Sequence, residues 1–341
     1  MAQMQYYIQL FFLCILSTIA ILAILTRKKN KNHLTPPSPP SLPIIGHLHL
    51  ISELPHQSFH KLSTQYGPIM QLYLGSKLSV VLSCPEIIKE FLKTKETYFS
   101  NRFRGAAVNY LSYGSKGFLF APYGNYWKFM KKKCMSELLG GKTIDQFCPL
   151  RQQETLRFLR VLQKKGEAGE AIDVGGELLT LTNRIITRMT MSKTFYENDS
   201  DEEDIRKMVQ DSVELAGKFN VVIKEHQEER KKRKENGEAA HVMDLLDILL
   251  EIQEDESSEI NITRENVKAF ILDVFLAGTD TSSTTIEWAL AELINNPDCF
   301  QWKVNGNGIV NMKEKAASTL QRAYPLMCVP IPRFNCFSLF E

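Results

Sequence analysis

The sequence predicts a mainly α-helical fold with a small β-sheet region, preceded by one N-terminal transmembrane helix. The membrane helix is predicted by an apolar run near the N-terminus, because about 20 such residues cross about 30 Å of hydrocarbon. Two short β-type runs before residue 84 predict the sheet. From Tyr123 onward the pattern is mostly helical and includes one long helix that ends near Asn295.

The apolar run extends from Tyr6 to Leu25 and is interrupted only by Gln9, Ser17 and Thr18. A cleaved signal peptide is the alternative, but no charged side chain precedes the run and no small-residue cleavage motif follows it. Directly after the run come the basic residues Arg27, Lys28, Lys29 and Lys31. This flank places the rest of the chain in the cytosol by the positive-inside rule. We expect residues 1–31 to be a membrane anchor with a basic flank.

Residues 32–46 are rich in proline and contain Pro36-Pro37-Ser38-Pro39-Pro40-Ser41-Leu42-Pro43. This segment cannot be helical, because each proline fixes φ and pushes the preceding residue toward extended geometry. A proline-rich ligand for a binding domain is the alternative. The position between a span and a globular domain favours a semi-rigid hinge.

The segment after the hinge predicts a helix, a hairpin and a second helix. The expected bounds are His56 to Tyr66, Met70 to Leu74, Leu78 to Ser83 and Pro85 to Lys93. Gly75-Ser76-Lys77 is a suitable hairpin loop between the two strands.

Charge and cysteine usage argue against several functional classes. The net charge of +2 comes from nearly balanced totals, so no long-range field favours nucleic acid as a partner. The cysteines lack CxxC or Cys/His ligand spacing, so neither a disulfide framework nor a metal site is indicated. They are Cys14, Cys84, Cys134, Cys148, Cys299, Cys328 and Cys336. We expect reduced thiols in a protein that faces the cytosol.

Residues 261–295 carry the strongest local signal. Thr263 is a suitable cap, Glu265 lies in the first turn, and Asn295-Asn296-Pro297 marks the end. Residues at spacings of three and four share one face of this helix: Val267, Phe270, Ile271, Val274, Gly278, Thr281, Thr285 and Trp288. A helix of roughly thirty residues is long enough to run through a core.

The middle of this helix holds a polar notch, residues 277–285, with the sequence Ala-Gly-Thr-Asp-Thr-Ser-Ser-Thr-Thr. Glycine and hydroxyl residues are poor helix formers, and such local conflict often marks a functional site. A buried threonine can loosen the backbone ladder and leave a carbonyl free for water. An adjacent carboxylate and hydroxyl can then relay protons into a pocket. Two other interpretations stay open. The helix breaks at Gly278 and restarts with Asp280 as its cap, or the small residues pack against a neighbouring helix.

These features in this order resemble the cytochrome P-450 family, and its plant microsomal members in particular. The notch is similar to the family's oxygen-activating pattern, Ala/Gly-Gly-x-Asp/Glu-Thr-Thr/Ser, and the proline segment is similar to its hinge. Residues 120–131 look like its Trp-x-x-x-Arg helix, with lysine at the basic position. The resemblance covers residues 1–298 and implies an incomplete cytochrome P-450 fold, with residues 47–298 as a partial catalytic domain.

The resemblance assigns roles to individual residues. In the family, the pair that matches Trp127 and Lys131 holds a haem propionate. Asp280 and Thr281 would deliver protons to dioxygen at the haem. Gly278, after Ala277, would give dioxygen room beside the helix. The loop from Arg104 to Phe120 would correspond to the first substrate-contacting segment.

Cofactors and partners follow from the same resemblance. It implies haem, electrons from NADPH through a reductase, and a small apolar or phenolic substrate. It also implies a single-pass protein of the endoplasmic reticulum membrane with the catalytic domain on the cytosolic side. The stretches Phe99 to Phe103, Met135 to Gly141 and Arg151 to Glu154 look most like the flavone synthase and flavanone 2-hydroxylase branch.

The chain also departs from the family pattern. Neither the Glu-x-x-Arg helix nor the cysteine loop Phe-x-x-Gly-x-Arg-x-Cys-x-Gly occurs after Thr281, so no axial cysteine is identified. Residues 299–341 are a divergent tail by this criterion. Glu154 to Arg157 fits the Glu-x-x-Arg spacing but precedes the oxygen helix. At Phe219 to Ile223 one helix runs on where the family has additional helices over the substrate channel.

Two functional hypotheses follow. The chain is either part of a monooxygenase, inactive as it stands, or a non-catalytic, membrane-tethered pseudoenzyme that binds partners of its relatives. The spacing Arg333-x-x-Cys336 lacks the flanking glycines, so we expect no thiolate-ligated haem in the chain as written.

Overall fold

A computed structural model of the chain describes residues 2–27, 35–192, 212–236, 243–296, 309–317 and 319–331. The chain divides into two compact units, Met1–Ser100 and Asn101–Glu341. Lys28, Lys29 and Lys31 of the predicted basic flank lie outside the described residues, as do Cys299 and Cys336.

The first unit combines short helices with one β-hairpin. Its elements are α1 (Ala2–Arg27), α2 (Pro55–Tyr66), β1 (Ile69–Leu74), β2 (Lys77–Leu82), α3 (Pro85–Lys89) and α4 (Glu96–Phe99). A 3-10 turn at Leu48–Leu50 precedes α2, and a π-helical turn at Glu90–Thr94 extends α3.

The helix α1 covers the segment predicted to span the membrane. Among the residues that the structure describes, however, no helix is long and apolar enough to cross a bilayer. The N-terminal transmembrane helix therefore stays a prediction.

The hairpin confirms the expected strands to within one residue. Strands β1 and β2 pair antiparallel from Ile69 with Leu82 to Leu74 with Lys77, leaving a two-residue loop. Gly75 in this loop has φ +64°, a left-handed conformation that glycine adopts without steric cost. Strand β1 carries the fully buried Met70 of this unit.

The proline-rich segment is held to β1 by His47, which is fully buried. The backbone N–H of Tyr73 donates to His47 Nδ1 at 2.7 Å, so Nε2 carries the proton and donates to the carbonyl of Pro39 at 2.8 Å. The N–H of Gln71 donates to the carbonyl of Pro37 at 2.9 Å. The extended geometry that the prolines impose thus supplies carbonyl groups to the hairpin.

The second unit is mainly helical. Its elements are α5 (Ala106–Leu111), α6 (Asn125–Lys133), α7 (Gly141–Gln146), α8 (Cys148–Glu167), β3 (Ile172–Asp173), α9 (Val174–Met191), α10 (Ser212–Glu235), α11 (Leu245–Glu254), α12 (Arg264–Gly278), α13 (Asp280–Asn295), β4 (Glu314–Lys315), β5 (Gln321–Arg322) and β6 (Met327–Cys328). A π-helical turn at Cys134–Leu138 follows α6. Residues 219–223 lie inside α10, so one helix runs through this region as expected.

The core of the second unit surrounds α12, which is buried along most of its length. Side chains from α6, α9, α10 and α11 pack against it, including Met130, Met191, Ile223, Leu246 and Leu249. Each large apolar side chain that is fully buried stabilises the fold by about 1.5–3 kcal/mol. The start of α12 is set by a reciprocal capping box between Thr263 and Asn266, so the predicted cap is confirmed.

Helices α8 and α9 are joined by a buried ion pair network centred on Glu154. Its carboxylate accepts from Arg184 Nε at 2.8 Å and from Arg188 at 2.6 Å. Burial opposes ionisation, but these two arginines outweigh it and lower the pKa of Glu154. The Glu154 to Arg157 spacing therefore has no bearing on this pair, because the partners come from α9.

Candidate functional site

The polar notch interrupts the long helix at Thr279. Helix α12 ends at Gly278 and α13 begins at Asp280, so the expectation of one unbroken helix is wrong at this point. The break is slight, because the N–H of Thr279 still donates to the carbonyl of Phe275 at 3.2 Å. Asp280 does not cap α13, since Thr279 holds the cap position and no side chain caps the helix.

Side-chain hydroxyls explain the break. The hydroxyl of Thr281 donates to the carbonyl of Ala277, and that of Ser283 donates to the carbonyl of Thr279 at 3.1 Å. Thr182 on α9 donates to the same Thr279 carbonyl at 3.0 Å. Hydroxyls that bind carbonyls in this way compete with the backbone ladder and bend helices.

Gly278 lies where α12 passes α9. A Cβ at this position would come within 2.6 Å of Ile186 Cδ1. The contact supports the interpretation that a small residue packs against a neighbouring helix. The role of Gly278 in giving dioxygen room is a separate expectation, which this contact does not test.

Thr281 is exposed, as is Ala277. Thr281 faces an open cleft of about 600 Å³ between α13 and the C-terminal segment. The cleft is lined by Thr281, Thr284, Thr285, Trp288, Glu292, Glu314, Thr319 and Leu320. Asp280 is half-buried nearby and accepts hydrogen bonds from Thr319 and Gln321.

The second predicted site lies on α6. Trp127 is buried, and its indole N–H has no hydrogen-bond partner among the described residues. The ammonium of Lys131 lies 5.0 Å from the centroid of the Trp127 ring. The guanidinium carbon of Arg102 also lies 5.0 Å from it. A buried donor on a ring with two cations nearby fits a carboxylate such as a haem propionate, because an unsatisfied buried donor is costly.

Arg102 is a residue that sequence reasoning missed. It lies 25 positions before Trp127, outside the Trp-x-x-x-Lys spacing. The only available signal is its place inside the Phe99 to Phe103 stretch that carries part of the family resemblance.

Phe118 connects α6 with α12. Its ring stacks on Trp127 at 5.5 Å with an interplanar angle of 9°, and lies 6.3 Å from the ring of Phe270. Stacked and tilted aromatic pairs stabilise by about 0.5–1.5 kcal/mol beyond their buried area. The loop before α6, part of the expected substrate-contacting segment, is therefore packed between α6 and α12.

The same loop is bound by Asp273, a second residue that sequence reasoning missed. Asp273 Oδ2 accepts the backbone N–H of Phe118 at 2.5 Å and that of Leu119 at 2.8 Å. A side chain at Gly117 would collide with this carboxylate, so glycine is required there. Burial raises the pKa of Asp273 to about 6, although the two N–H donors oppose the shift.

His226, Asp244 and Asp247 form a buried group that could hold a metal ion. His226 Nε2 lies 3.1 Å from Asp247 and 3.4 Å from Asp244. Burial opposes protonation of His226, but the hydrogen bonds and charges of the two carboxylates outweigh it and raise its pKa to about 9. Arg230 and Arg233 approach Asp247 at 4.0 and 3.8 Å. The positive charges of these arginines and of protonated His226 offset the negative charges of the carboxylates. The geometry therefore favours a structural ion network over a metal site.

Cys328 does not have the properties of a haem ligand. It is buried in β6, where it pairs with Ile172 of β3, and burial raises the pKa of its thiol. A ligating cysteine is a thiolate in an ordered loop with donors to the sulfur. No axial cysteine is thus identified among the described residues.

Comparison with known proteins settles the family. The family model for cytochrome P-450 matches residues 36–223 and 214–304. The chain belongs to the cytochrome P-450 family, and membership implies haem iron as the cofactor and electrons derived from NADPH. The two matched segments overlap at residues 214–223. In this region the chain departs from the helix arrangement of the family.

Two soybean (Glycine max) proteins are among the relatives. The chain is 52% identical over 328 residues to 3,9-dihydroxypterocarpan 6A-monooxygenase and equally to cytochrome P-450 93A3. In both cases the match covers 86% of this chain and 64% of the relative. The chain therefore spans about 64% of the length of these curated relatives.

A solved structure supports the fold. A zebra fish cytochrome P-450 in complex with abiraterone superposes with a TM-score of 0.57 and 24% identity, over 72% of this chain and 60% of that one. The mainly helical cytochrome P-450 fold with a few small sheets is confirmed.

Proposed function

We propose that this chain serves a haem-thiolate monooxygenase of plant specialised metabolism, which hydroxylates a small apolar or phenolic substrate with dioxygen and NADPH. The observation that carries the proposal is the buried, unpaired indole N–H of Trp127, whose ring has Lys131 and Arg102 each 5.0 Å from its centroid. In this family, such an anion site is expected to bind the haem.

When bound, haem supplies the iron at which dioxygen is activated, with a cysteine thiolate donating electron density to it. Trp127 would donate its indole N–H to a propionate, and Lys131 and Arg102 would neutralise the propionate charge. Phe118 would keep the indole in place by stacking on it. Together these residues orient the cofactor and contribute charge-assisted hydrogen bonds.

The polar notch would transfer protons to the reacting oxygen. Asp280 would take a proton from solvent, and the Thr281 hydroxyl would pass it toward the reacting oxygen, as positioned acids and hydroxyls do. The carbonyl of Ala277 already accepts the Thr281 hydroxyl, which orients this group. Gly278 would leave room beside the helix for dioxygen.

We further propose a phenolic polycycle as the substrate. The name of the soybean relative, 3,9-dihydroxypterocarpan 6A-monooxygenase, supports a phenolic polycycle more than the flavanone class that the sequence stretches favoured. The aromatic loop bound by Asp273 would contact it. Electrons would arrive from NADPH through a reductase.

The proposed location is the cytosolic side of the endoplasmic reticulum membrane. The apolar composition of the run from Tyr6 to Leu25 supports a single-pass anchor, and the basic residues after it favour a cytosolic orientation.

Titration with haemin and with haemin dimethyl ester tests the proposal, because the two compounds differ only at the propionates, which are charged carboxylates in haemin and neutral methyl esters in the other compound. We expect the full chain to bind haemin at least about tenfold more tightly, since charge-assisted bonds contribute about 1.5–3 kcal/mol each. Trp127→Phe and Lys131→Met should reduce this preference. Lys132→Met is the matched control, since Lys132 is an exposed neighbour on α6. Equal affinity for both compounds in the unmodified chain would contradict the proposed propionate site.

A further inference from the structure

The C-terminal segment, residues 309–317 and 319–331, lies along α13 and is bound to it at several points. Asn295 forms a reciprocal pair with Val310, donating from Nδ2 to its carbonyl at 2.8 Å and accepting from its N–H at 2.7 Å. Trp288 Nε1 donates to the carbonyl of Leu320 at 2.7 Å. These contacts run from the last turn of α13 toward its start.

At the start of α13 the segment reaches Asp280. The hydroxyl of Thr319 donates to Asp280 Oδ2 at 2.5 Å, and the side-chain amide of Gln321 donates to Oδ1 at 3.0 Å. Each oxygen of the carboxylate therefore accepts a donor from the same short hairpin, β4–β5, whose strands pair Glu314 with Arg322. Two donors on two oxygens fix both the position and the rotation of a carboxylate.

The C-terminal end of the segment is bound to β3 and to the start of α9. Strand β6 pairs with β3, and the N–H of Val174 donates to the carbonyl of Leu326 at 2.9 Å. Leu326 and Cys328 are buried against Ile294 of α13. The hairpin is thus anchored on both sides, so the contact with Asp280 belongs to a docked structure.

We propose that the C-terminal segment, as described over residues 309–317 and 319–331, is an intramolecular lock on Asp280, which it withholds from proton transfer by occupying both carboxylate oxygens. The proposal rests on the proposed function for the role of Asp280 as a proton donor. A carboxylate that relays protons must exchange partners with water and with the next hydroxyl. Here the exchange requires that Thr319 and Gln321 leave together, which couples proton delivery to release of the hairpin.

The lock also leaves Asp280 and Thr281, the two residues of the proposed proton relay, in different surroundings. Thr281 faces the open cleft, whereas the adjacent carboxylate is taken by the hairpin. A signal or a partner that displaces the hairpin would free Asp280 without moving α13. Leu320 and Trp288 mark the point where such displacement begins, because their hydrogen bond borders the cleft.

Carbodiimide-driven coupling of an amine to carboxyl groups, read by peptide mass spectrometry, tests the lock in the full chain. The double variant Thr319→Val, Gln321→Leu removes both donors and should raise the labelling rate of Asp280 roughly tenfold, as expected for a local opening. Lys315→Gln is the control, since it changes the cross-strand neighbour of Gln321 and keeps both donors. Its labelling rate should match that of the unmodified chain.

A second variant loosens the hairpin from another side. Trp288→Phe removes the hydrogen bond to Leu320 and should also raise Asp280 labelling, with a helical content unchanged by circular dichroism. If the double variant fails to fold, the result with Trp288→Phe decides. Asp280 labelling that is equally fast in the unmodified chain and in the folded variants overturns the lock. Because labelling needs no haem, this result is independent of the haemin titration that tests the proposed function.

Discussion

Asp273 on α12 accepts a hydrogen bond at 2.5 Å from the backbone N–H of Phe118, although the two residues are 155 positions apart. Phe118 stacks on Trp127, whose indole N–H is the proposed propionate donor. The carboxylate of Asp273 therefore holds the loop that keeps this indole in place. It acts on the cofactor site through Phe118, as a positioning residue.

Replacing Asp273 by alanine should lower the free energy of unfolding by about 1–3 kcal/mol, because the N–H groups of Phe118 and Leu119 lose their acceptor in a buried environment. Urea unfolding followed by circular dichroism measures this loss. Asp273→Asn is the matched control, since its amide oxygen can still accept both N–H groups. Equal losses in the two variants would argue that the negative charge of Asp273, and not its acceptance of hydrogen bonds, is what the side chain contributes.

The ion network around His226 predicts a loss of stability at alkaline pH. The folded-state pKa of His226 is raised to about 9 from an ordinary value of 6.5. The contribution is therefore fully present below pH 6.5 and is lost as the pH rises through about 9. We expect the free energy of unfolding to fall by about 1–3 kcal/mol between pH 7 and pH 9.5.

Urea titrations across this range, compared with His226→Gln, measure the effect. The variant should show a flatter pH dependence, because glutamine does not titrate. His60→Gln removes an exposed histidine of the first unit and should leave the slope unchanged. A slope that persists in His226→Gln would assign it to other groups.

Gly278 provides a test of helix packing. Gly278→Val should destabilise the fold by about 1–3 kcal/mol, because its branched side chain would overlap Ile186 of α9. In the double variant Gly278→Val, Ile186→Ala the two losses should not add, and the double-mutant cycle should give a favourable coupling of at least about 0.5 kcal/mol. Thermal unfolding of the four proteins measures it.

Gly278→Ala is the milder comparison, since the tip of Ile186 can rotate away and alanine is a better helix former by about 1 kcal/mol. Additive losses of unfolding free energy in the cycle would mean that Gly278 does not face Ile186. Such a result would leave the room for dioxygen as the expected role of Gly278.

Much of the architecture follows from local sequence chemistry. The hairpin at Gly75 and the capping box of Thr263 with Asn266 depend on neighbours in the chain, and both were predictable. The break at Thr279 was only an alternative from the sequence. Its cause includes the hydroxyl of Thr182, which comes from another helix.

The residues that sequence reasoning missed share one property. Arg102 and Asp273 act on partners that are distant in the chain, so no spacing rule brings them to notice. Glu154 is a further case, because its ion pairs with Arg184 and Arg188 on α9 join residues that are 30 or more positions apart in the chain. The periodicity of the sequence does not predict the tertiary contacts that charged groups make in the site.

The N-terminal anchor is testable in membranes. The full chain should remain in the membrane pellet after alkaline carbonate treatment, and deletion of Met1 to Lys31 should weaken this association. Leu13→Arg with Leu16→Arg in the full chain should also release it, because each central arginine costs about 2.5–3.5 kcal/mol of insertion free energy. Quantitative extraction of the unmodified chain by carbonate would contradict a membrane span between Tyr6 and Leu25.

The Thr281 hydroxyl should control how reducing equivalents are used. The test requires a chimera that carries the C-terminal third of the soybean pterocarpan monooxygenase, because the chain spans about 64% of that relative. In this chimera Thr281→Ala should keep haem but lower product formed per NADPH by roughly tenfold or more, with peroxide rising in its place, since a positioned proton donor contributes a factor of about 10²–10⁴. Product, peroxide and NADPH consumption measure this partition. Thr281→Ser should retain most of the coupling because it keeps the hydroxyl, and Thr284→Ala removes a neighbouring hydroxyl of the same cleft as the matched control. Unchanged coupling in Thr281→Ala would show that the bond from its hydroxyl to the Ala277 carbonyl serves only the local bend of the helix.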